Sequence, residues 1–559
     1  MTILKLIFIF ITNFFEFLLN SIKYLWKTKI KKINLFTIFI LSTILFARIV
    51  YNFERLSTTY LYVFIFVMTV LLLTGLINYF LPPDNLKKQV DEYEIKIPKN
   101  IPVEKFIKQG EEKKLGAYLG CKIPIPWHQT FKNITPLYVS EQERLLHCQV
   151  VGSTGSGKTI AVLEPLIEDD IKNGRPLIFI DAKANLDNIK KISYLIRKHN
   201  REKDYNILSL SELERSFTYN PFEIGNSSQL TDKIIGAMDW AEYKETDSRH
   251  YISLCETALQ NLFNDHEKHS KEKLTFSQVY KILQNPDRTL YPELAFFLKN
   301  HSKDISSLTA WLSRIIHSNF GFLFESPKGE INLLDAYQNN KIIYFALDTQ
   351  SYEKIGKMLG KIIIKDLTTI SGEIQNKEFL QNPDQKYMGI FIDECQSFIT
   401  PSFTNFLEKA RGSKFMLTIS YSSIGNLDKI GIRSEILQGI NTHIILKIND
   451  PQTAEVFSKM AGTYKAIEKT HQTIVDRIFS RLHSIMEKVV NKRIFPPEIF
   501  MKLKTFQAIC IHKEESSFTV LNPNLENVEN EPLPEKRQRK DQNKDDDSSK
   551  NPPPAKSVF

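Results

Sequence analysis

Apolar positions follow three different patterns along this chain. Two early runs, Leu35–Phe53 and Tyr60–Leu81, are almost unbroken. Arg48 and Asn52 interrupt the first only near its end, Asn78 the second, and Pro82-Pro83 stops it. Each reaches the roughly 20 residues a helix needs to cross a bilayer. Buried core helices are the alternative, but these rarely lack charged positions over such lengths. Paired runs of this length do not read as a cleavable signal. Residues 3–26 are also apolar, yet Lys5, Asn13, Glu16, Asn20 and Lys23 break them, and Phe14, Phe15 and Trp26 are suited to an interface. An amphipathic helix lying in the membrane plane is the first reading, and a third span the second.

Beyond residue 140 the apolar runs shorten to strand length. Leu145–Val151, Leu177–Ile180, Ile342–Leu347, Met388–Ile392, Phe415–Tyr421 and His443–Ile448 are separated by helix-like stretches. That alternation predicts an α/β fold with a mainly parallel sheet, covered on both faces, whose ligand sits at the strand carboxyl ends. Residues 182–341 separate two of these strands, far more than the dozen or so a crossover needs. Helical periodicity at Leu230–Tyr243, His250–Asp265 and Leu308–Ile316 marks residues 217–334 as a helical insert. The third pattern is the absence of one. Residues 522–559 are dominated by Glu, Asp, Lys, Asn and Pro, with EKRQRK, DDD and PPP in succession, and are expected to be disordered. The expected partition is a juxtamembrane segment 1–33, a two-helix anchor 34–83, a linker and domain start 84–145, a nucleotide-binding domain from 146–216 and 335–521, the insert, and the tail.

Charge orients the anchor. Lys27, Lys29, Lys31 and Lys32 precede the first run and Lys87 and Lys88 follow the second, while only Arg48, Glu54 and Arg55 lie near the intervening loop. Positive-inside bias therefore places both ends in the cytoplasm. The formal net charge of +9 is compatible with a polyanionic partner, and equally with a basic loop at a membrane surface. Five scattered cysteines without a CxxC pair read as buried apolar residues, not as a disulfide frame or zinc site.

Chemistry concentrates at two strand ends. After Leu145–Val151 comes GSTGSGKT, that is Gly152, Ser153, Thr154, Gly155, Ser156, Gly157, Lys158 and Thr159, followed by the helix-like IAVLEPLIEDDI. Strand, glycine-rich loop and helix form the context in which this motif turns backbone N–H groups toward phosphate oxygens. Lys158 is expected to reach the β/γ-phosphates of ATP, and the Thr159 hydroxyl to bind Mg²⁺. Met388–Ile392 ends in Asp393-Glu394. Downstream of a phosphate loop this pair is expected to hold the metal (Asp393) and to orient and deprotonate the attacking water (Glu394).

GSTGSGKT, LIFIDAKAN (Leu177–Asn185), YNPF (Tyr219–Phe222) and FIDECQSF (Phe391–Phe398), preceded by paired spans, together resemble the type IV secretion coupling proteins of the TraD/TraG class. The resemblance implies a RecA-like P-loop NTPase with an all-α insert domain and two N-terminal transmembrane helices, related to the FtsK/HerA translocases. It implies an inner-membrane ATPase, acting as a hexamer at the base of a secretion channel, that binds DNA–relaxase complexes or protein substrates. Membrane lipid around the N-terminal helices and type IV channel proteins are implied partners, with an accessory protein on the tail. An equally good reading makes the tail a solubilising linker. Single-stranded DNA contact would be sequence-independent and would come from the pore of a ring. Arg411, in KARG, matches an arginine that reaches a neighbour's ATP site, although a helix C-terminus also favours a surface arginine there. Where the family usually has a glutamine, the triplet Tyr421-Ser422-Ser423 carries Ser422.

Four functions stay open on this reading. They are DNA–relaxase transfer, protein-effector transfer, an ATP-binding scaffold with weak hydrolysis, and a double-stranded DNA pump, which the lack of a winged-helix-like reader disfavours.

Overall fold

The computed structural model describes residues 95–537, apart from 96, 99, 128–132, 239–245, 378–383, 476–480 and 513–514. The two expected spans, the segment 3–26 and residues 538–559 of the tail lie outside the described residues. Among the described residues, no helix is long and apolar enough to cross a membrane.

The strands are β1 (Ala117–Ile123), β2 (Thr135–Val139), β3 (Cys148–Val151), β4 (Leu177–Asp181), β5 (Tyr205–Ser209), β6 (Ile342–Ala346), β7 (Met388–Asp393), β8 (Phe415–Tyr421), β9 (Thr442–Ile445), β10 (Thr463–Val475), β11 (Arg481–Arg493), β12 (Gln507–His512) and β13 (Glu515–Leu521). Eleven of them form one sheet in the order β2-β1-β13-β12-β9-β3-β8-β7-β4-β6-β5. From β9 to β5 every pairing is parallel. From β9 to β2 every pairing is antiparallel. The parallel sheet expected from sequence is thus one block of a mixed sheet. Its antiparallel flank joins strands from both ends of the described chain.

Residues of β3, β4, β6, β7 and β8 are buried throughout, as parallel strands covered on both faces must be. One face packs on helices Glu164–Lys172 and Leu186–Lys198. The other packs on Glu353–Asn376 and Phe403–Ala410, and its core continues into the insert. β10 and β11 form a separate antiparallel ribbon, in register from Thr463↔Arg493 to Val475↔Arg481. All five cysteines are free and buried.

The insert is helical, with Ser227–Ala237, Thr246–His269, Phe276–Gln284, Pro292–His301 and Ser306–Ile316. Its connection to the sheet is built from the YNPF segment. Tyr219 forms a parallel bridge with Ile331, so the incoming and outgoing chains run side by side. Asn220 Nδ2 donates to Leu274 O (3.0 Å) and Pro327 O (2.7 Å). Asp366, on the Glu353–Asn376 helix, accepts from the Tyr219 hydroxyl and pairs with Lys233, and all three are buried. Asn220→Ala leaves the buried Leu274 carbonyl and the part-buried Pro327 carbonyl without their donor, at a cost of about 2 kcal/mol. Chemical denaturation is expected to register that loss.

Part of the segment assigned to the tail is described, and it lies on the domain. Lys191 donates to Asn524 and Glu526 carbonyls (both 3.1 Å), and Arg197 pairs with Glu531 (2.7 Å). The Arg537 guanidinium sits 3.6 Å over the Phe217 ring.

Candidate nucleotide site

The loop after β3 is tied down at its start. The Gly152 N–H donates to Tyr421 O (3.2 Å) and the Ser153 N–H to Lys447 O (2.8 Å). Gly155 (φ +78°) and Gly157 (φ +97°) then take left-handed backbone that a side chain would strain. A Cβ on Gly157 would also stand 2.8 Å from the Phe506 ring. The helix that follows opens with a wide π-type turn, Thr159–Leu163, before continuing as Glu164–Lys172. Pro165 gives the reason: it has no N–H for the carbonyl four residues back, and its ring needs extra room there.

Lys158 is 5% exposed and its Nζ folds back onto Gly152 O (2.7 Å). Thr159 Oγ1 donates to Asp393 Oδ2 (3.1 Å), bringing together two motifs far apart in sequence. β8 lies between β3 and β7, and from it the Ser420 hydroxyl donates to Asp393 Oδ1. Glu394 has left-handed backbone (φ +49°). Its Oε1 lies 2.7 Å from Lys183 Nζ and 3.7 Å from Lys158 Nζ, and its Oε2 accepts from Gln396 Nε2 (2.7 Å).

Lys183 belongs to the DAKAN turn after β4. Asp181 organises this turn, accepting from the Lys183 N–H (2.8 Å), Asn188 Nδ2 (3.0 Å) and the Tyr344 hydroxyl (2.8 Å). Asp181 is paired in register with Asp393, so two buried carboxylates end adjacent strands. Burial, then Asp181, raises the proton affinity of Asp393, against the Ser420 hydrogen bond. Burial lowers the Lys158 pKa, opposed by Glu394 and Asp393. Burial acts to raise Glu394, but Lys183, Lys158 and Gln396 outweigh it and the net shift is downward.

These residues fit a magnesium nucleotide. The Ser156 Oγ is buried without a partner at the loop, and Thr159 and Asp393 offer a hydroxyl and a carboxylate, hard oxygen ligands of the kind Mg²⁺ takes.

Of the residues singled out from sequence, the fold converges Gly152–Thr159, Asp393 and Glu394. Arg411 is exposed just past the Phe403–Ala410 helix, outside the contacts above. Ser422 accepts from Asn426 Nδ2 (3.1 Å), and Ser423 caps the next helix. Sequence reasoning missed Ser420, Gln396 and the roles of Asp181 and Lys183. The last two lie in a motif already singled out, and their position after a buried strand was the available signal.

No curated protein sequence matches the chain. The family model described as the TraM recognition site of TraD and TraG matches residues 387–505. Among solved structures, the unbound bacterial conjugative coupling protein TrwBdeltaN70 is similar at TM-score 0.52 and 16% identity, over 76% of this chain and 96% of that one. The plasmid coupling protein TrwB in complex with the non-hydrolysable ATP analogue ADPNP matches at TM-score 0.52 and 14% identity, over 78% and 98%. At these identities the likeness is one of fold.

Proposed function

We propose that this chain is a coupling protein of the TraD/TraG type, a membrane-anchored ATPase that couples a DNA–relaxase substrate to a type IV secretion channel. The observation that carries this reading is the convergence of Lys158, Thr159, Asp393 and Glu394 at the strand carboxyl ends. Lys158 leaves Gly152 O to hold the β/γ-phosphates, and the loop N–H groups cradle them. Thr159 and Asp393 would hold Mg²⁺, which would supply positive charge against the transferring phosphoryl group. Glu394 orients a water and takes its proton as the oxygen attacks phosphorus. Arg411 serves the neighbouring subunit's site in a hexamer, and DNA passes through the pore of that ring by phosphate contacts.

Disrupting the gene in a donor cell is expected to abolish plasmid transfer, and the wild-type gene to restore it while Lys158→Ala does not. Transfer supported by Lys158→Ala would contradict the motor. Turnover per subunit is expected to rise with protein concentration, and Arg411→Ala to lower the plateau about tenfold or more. A steady-state titration reads both.

A second reading, an ATP-binding scaffold with weak hydrolysis, has one observation in its favour. Ser422 stands at the usual glutamine position and is engaged by Asn426. Protein effectors in place of DNA would use the same ATP chemistry.

A further inference from the structure

Glu394 faces away from free solvent, with both carboxylate oxygens engaged. Its Oε1 is shared by Lys183 (2.7 Å) and Lys158 (3.7 Å), and Gln396 holds Oε2. Each oxygen already accepts one charged or amide donor, so a water must compete with Lys183 on Oε1 and with Gln396 on Oε2. The grip is built, not incidental. Lys183 sits between Asp181, which receives its N–H, and Ala184, whose φ is +51°. Asn185 then caps the Leu186–Lys198 helix through the Asn188 N–H. These contacts hold the turn from which Lys183 reaches Glu394.

We propose that Lys183 is a positioning residue that holds Glu394 out of its working place until nucleotide arrives. The proposal rests on the hydrolysis reading above. Phosphates entering the Gly152–Thr159 loop compete for Lys158 and introduce negative charge beside the shared Oε1, so the Lys183–Glu394 pair breaks and the carboxylate turns to the water. Nucleotide binding and assembly of the base are thereby one event. Part of the binding free energy is spent breaking the pair, which lowers apparent affinity in the unaltered protein.

Binding of a fluorescent ATP analogue with Mg²⁺ to the full chain in detergent tests this without needing turnover. Lys183→Met removes the ammonium, and analogue binding is expected to tighten about three- to tenfold, the scale of one partly exposed ion pair. Lys183→Arg retains a cation in reach of Glu394 and is expected to restore wild-type affinity. Glu394→Gln breaks the same pair from its other end and is expected to tighten binding similarly. Adding Lys183→Met to Glu394→Gln is then expected to change nothing further. Weaker binding in Lys183→Met would mean that Lys183 grips phosphate and would overturn the proposal. So would an unchanged effect of Lys183→Met in the Glu394→Gln background. Wild-type protein that binds no nucleotide would overturn the nucleotide site itself, and this inference with it.

Discussion

Replacing Lys158 by alanine is expected to cut ATP turnover by a factor of about 10²–10³ or more, the scale of removing one preorganised charge from a developing phosphoryl anion. Lys158 is the ammonium at the loop, where it is buried against Gly152 O. Lys183, the other ammonium near Glu394, emerges from a different strand and is held by its own turn. The effect should appear in nucleotide affinity as well as rate, because Lys158 contacts phosphates in both ground and transition states. Unfolding should be little altered, since the folded protein loses one hydrogen bond to Gly152 O and a long 3.7 Å ion pair to Glu394, which keeps Lys183. Steady-state turnover and thermal unfolding of the same preparation separate the two. Near-wild-type turnover in Lys158→Ala would remove the phosphate loop from the chemistry.

The second large effect lies toward the other ends of the strands. Asp170 is fully buried and accepts from the two terminal Arg144 nitrogens, Nη1 and Nη2 (2.6 and 2.5 Å), as well as from Arg175 Nη1 (2.9 Å). Arg144 is itself fully buried, with Phe391 5.4 Å away. Asp170→Ala strips the carboxylate from two adjacent guanidiniums, leaving Asp169 as a poor substitute at 3.9 Å from Arg144. An uncompensated buried charge of this kind costs about 3–5 kcal/mol. Urea denaturation should show the loss as a lower midpoint. Gly389 exists for the same carboxylate, since a Cβ there would run into Asp170. Gly389→Ala is therefore expected to destabilise in the same direction.

How much was legible in the sequence follows from burial. β4, β6, β7 and β8 are covered on both faces, so they read as continuous apolar runs and were found within about a residue. β1, β2, β5, β12 and β13 stand toward the sheet edges, where partly exposed positions interrupt the run and erase the signal. The β10–β11 ribbon forms its own two-stranded sheet and exposes Ile467 and Val489, so no core face imposes a period at those positions. Insert helices were recognised, but their ends shifted. The helix read as Leu230–Tyr243 begins three residues earlier, where Asn226 and Gln229 form a reciprocal cap, and ends at Ala237. In the site, the phosphate loop and Asp393-Glu394 were legible because their chemistry demands a fixed spacing. Ser420 was not, because a serine inside a buried strand carries no local mark of the aspartate it meets across the sheet.

Mg²⁺ dependence of nucleotide binding tests the central claim most directly. Calorimetric titration of the full chain with a non-hydrolysable ATP analogue, with Mg²⁺ and with excess chelator, compares wild type with Asp393→Asn. The account predicts that Mg²⁺ tightens binding to the wild-type protein and that Asp393→Asn removes this gain while leaving metal-free binding in place. Absence of nucleotide binding in the wild type, or a Mg²⁺ gain undiminished in Asp393→Asn, would contradict it.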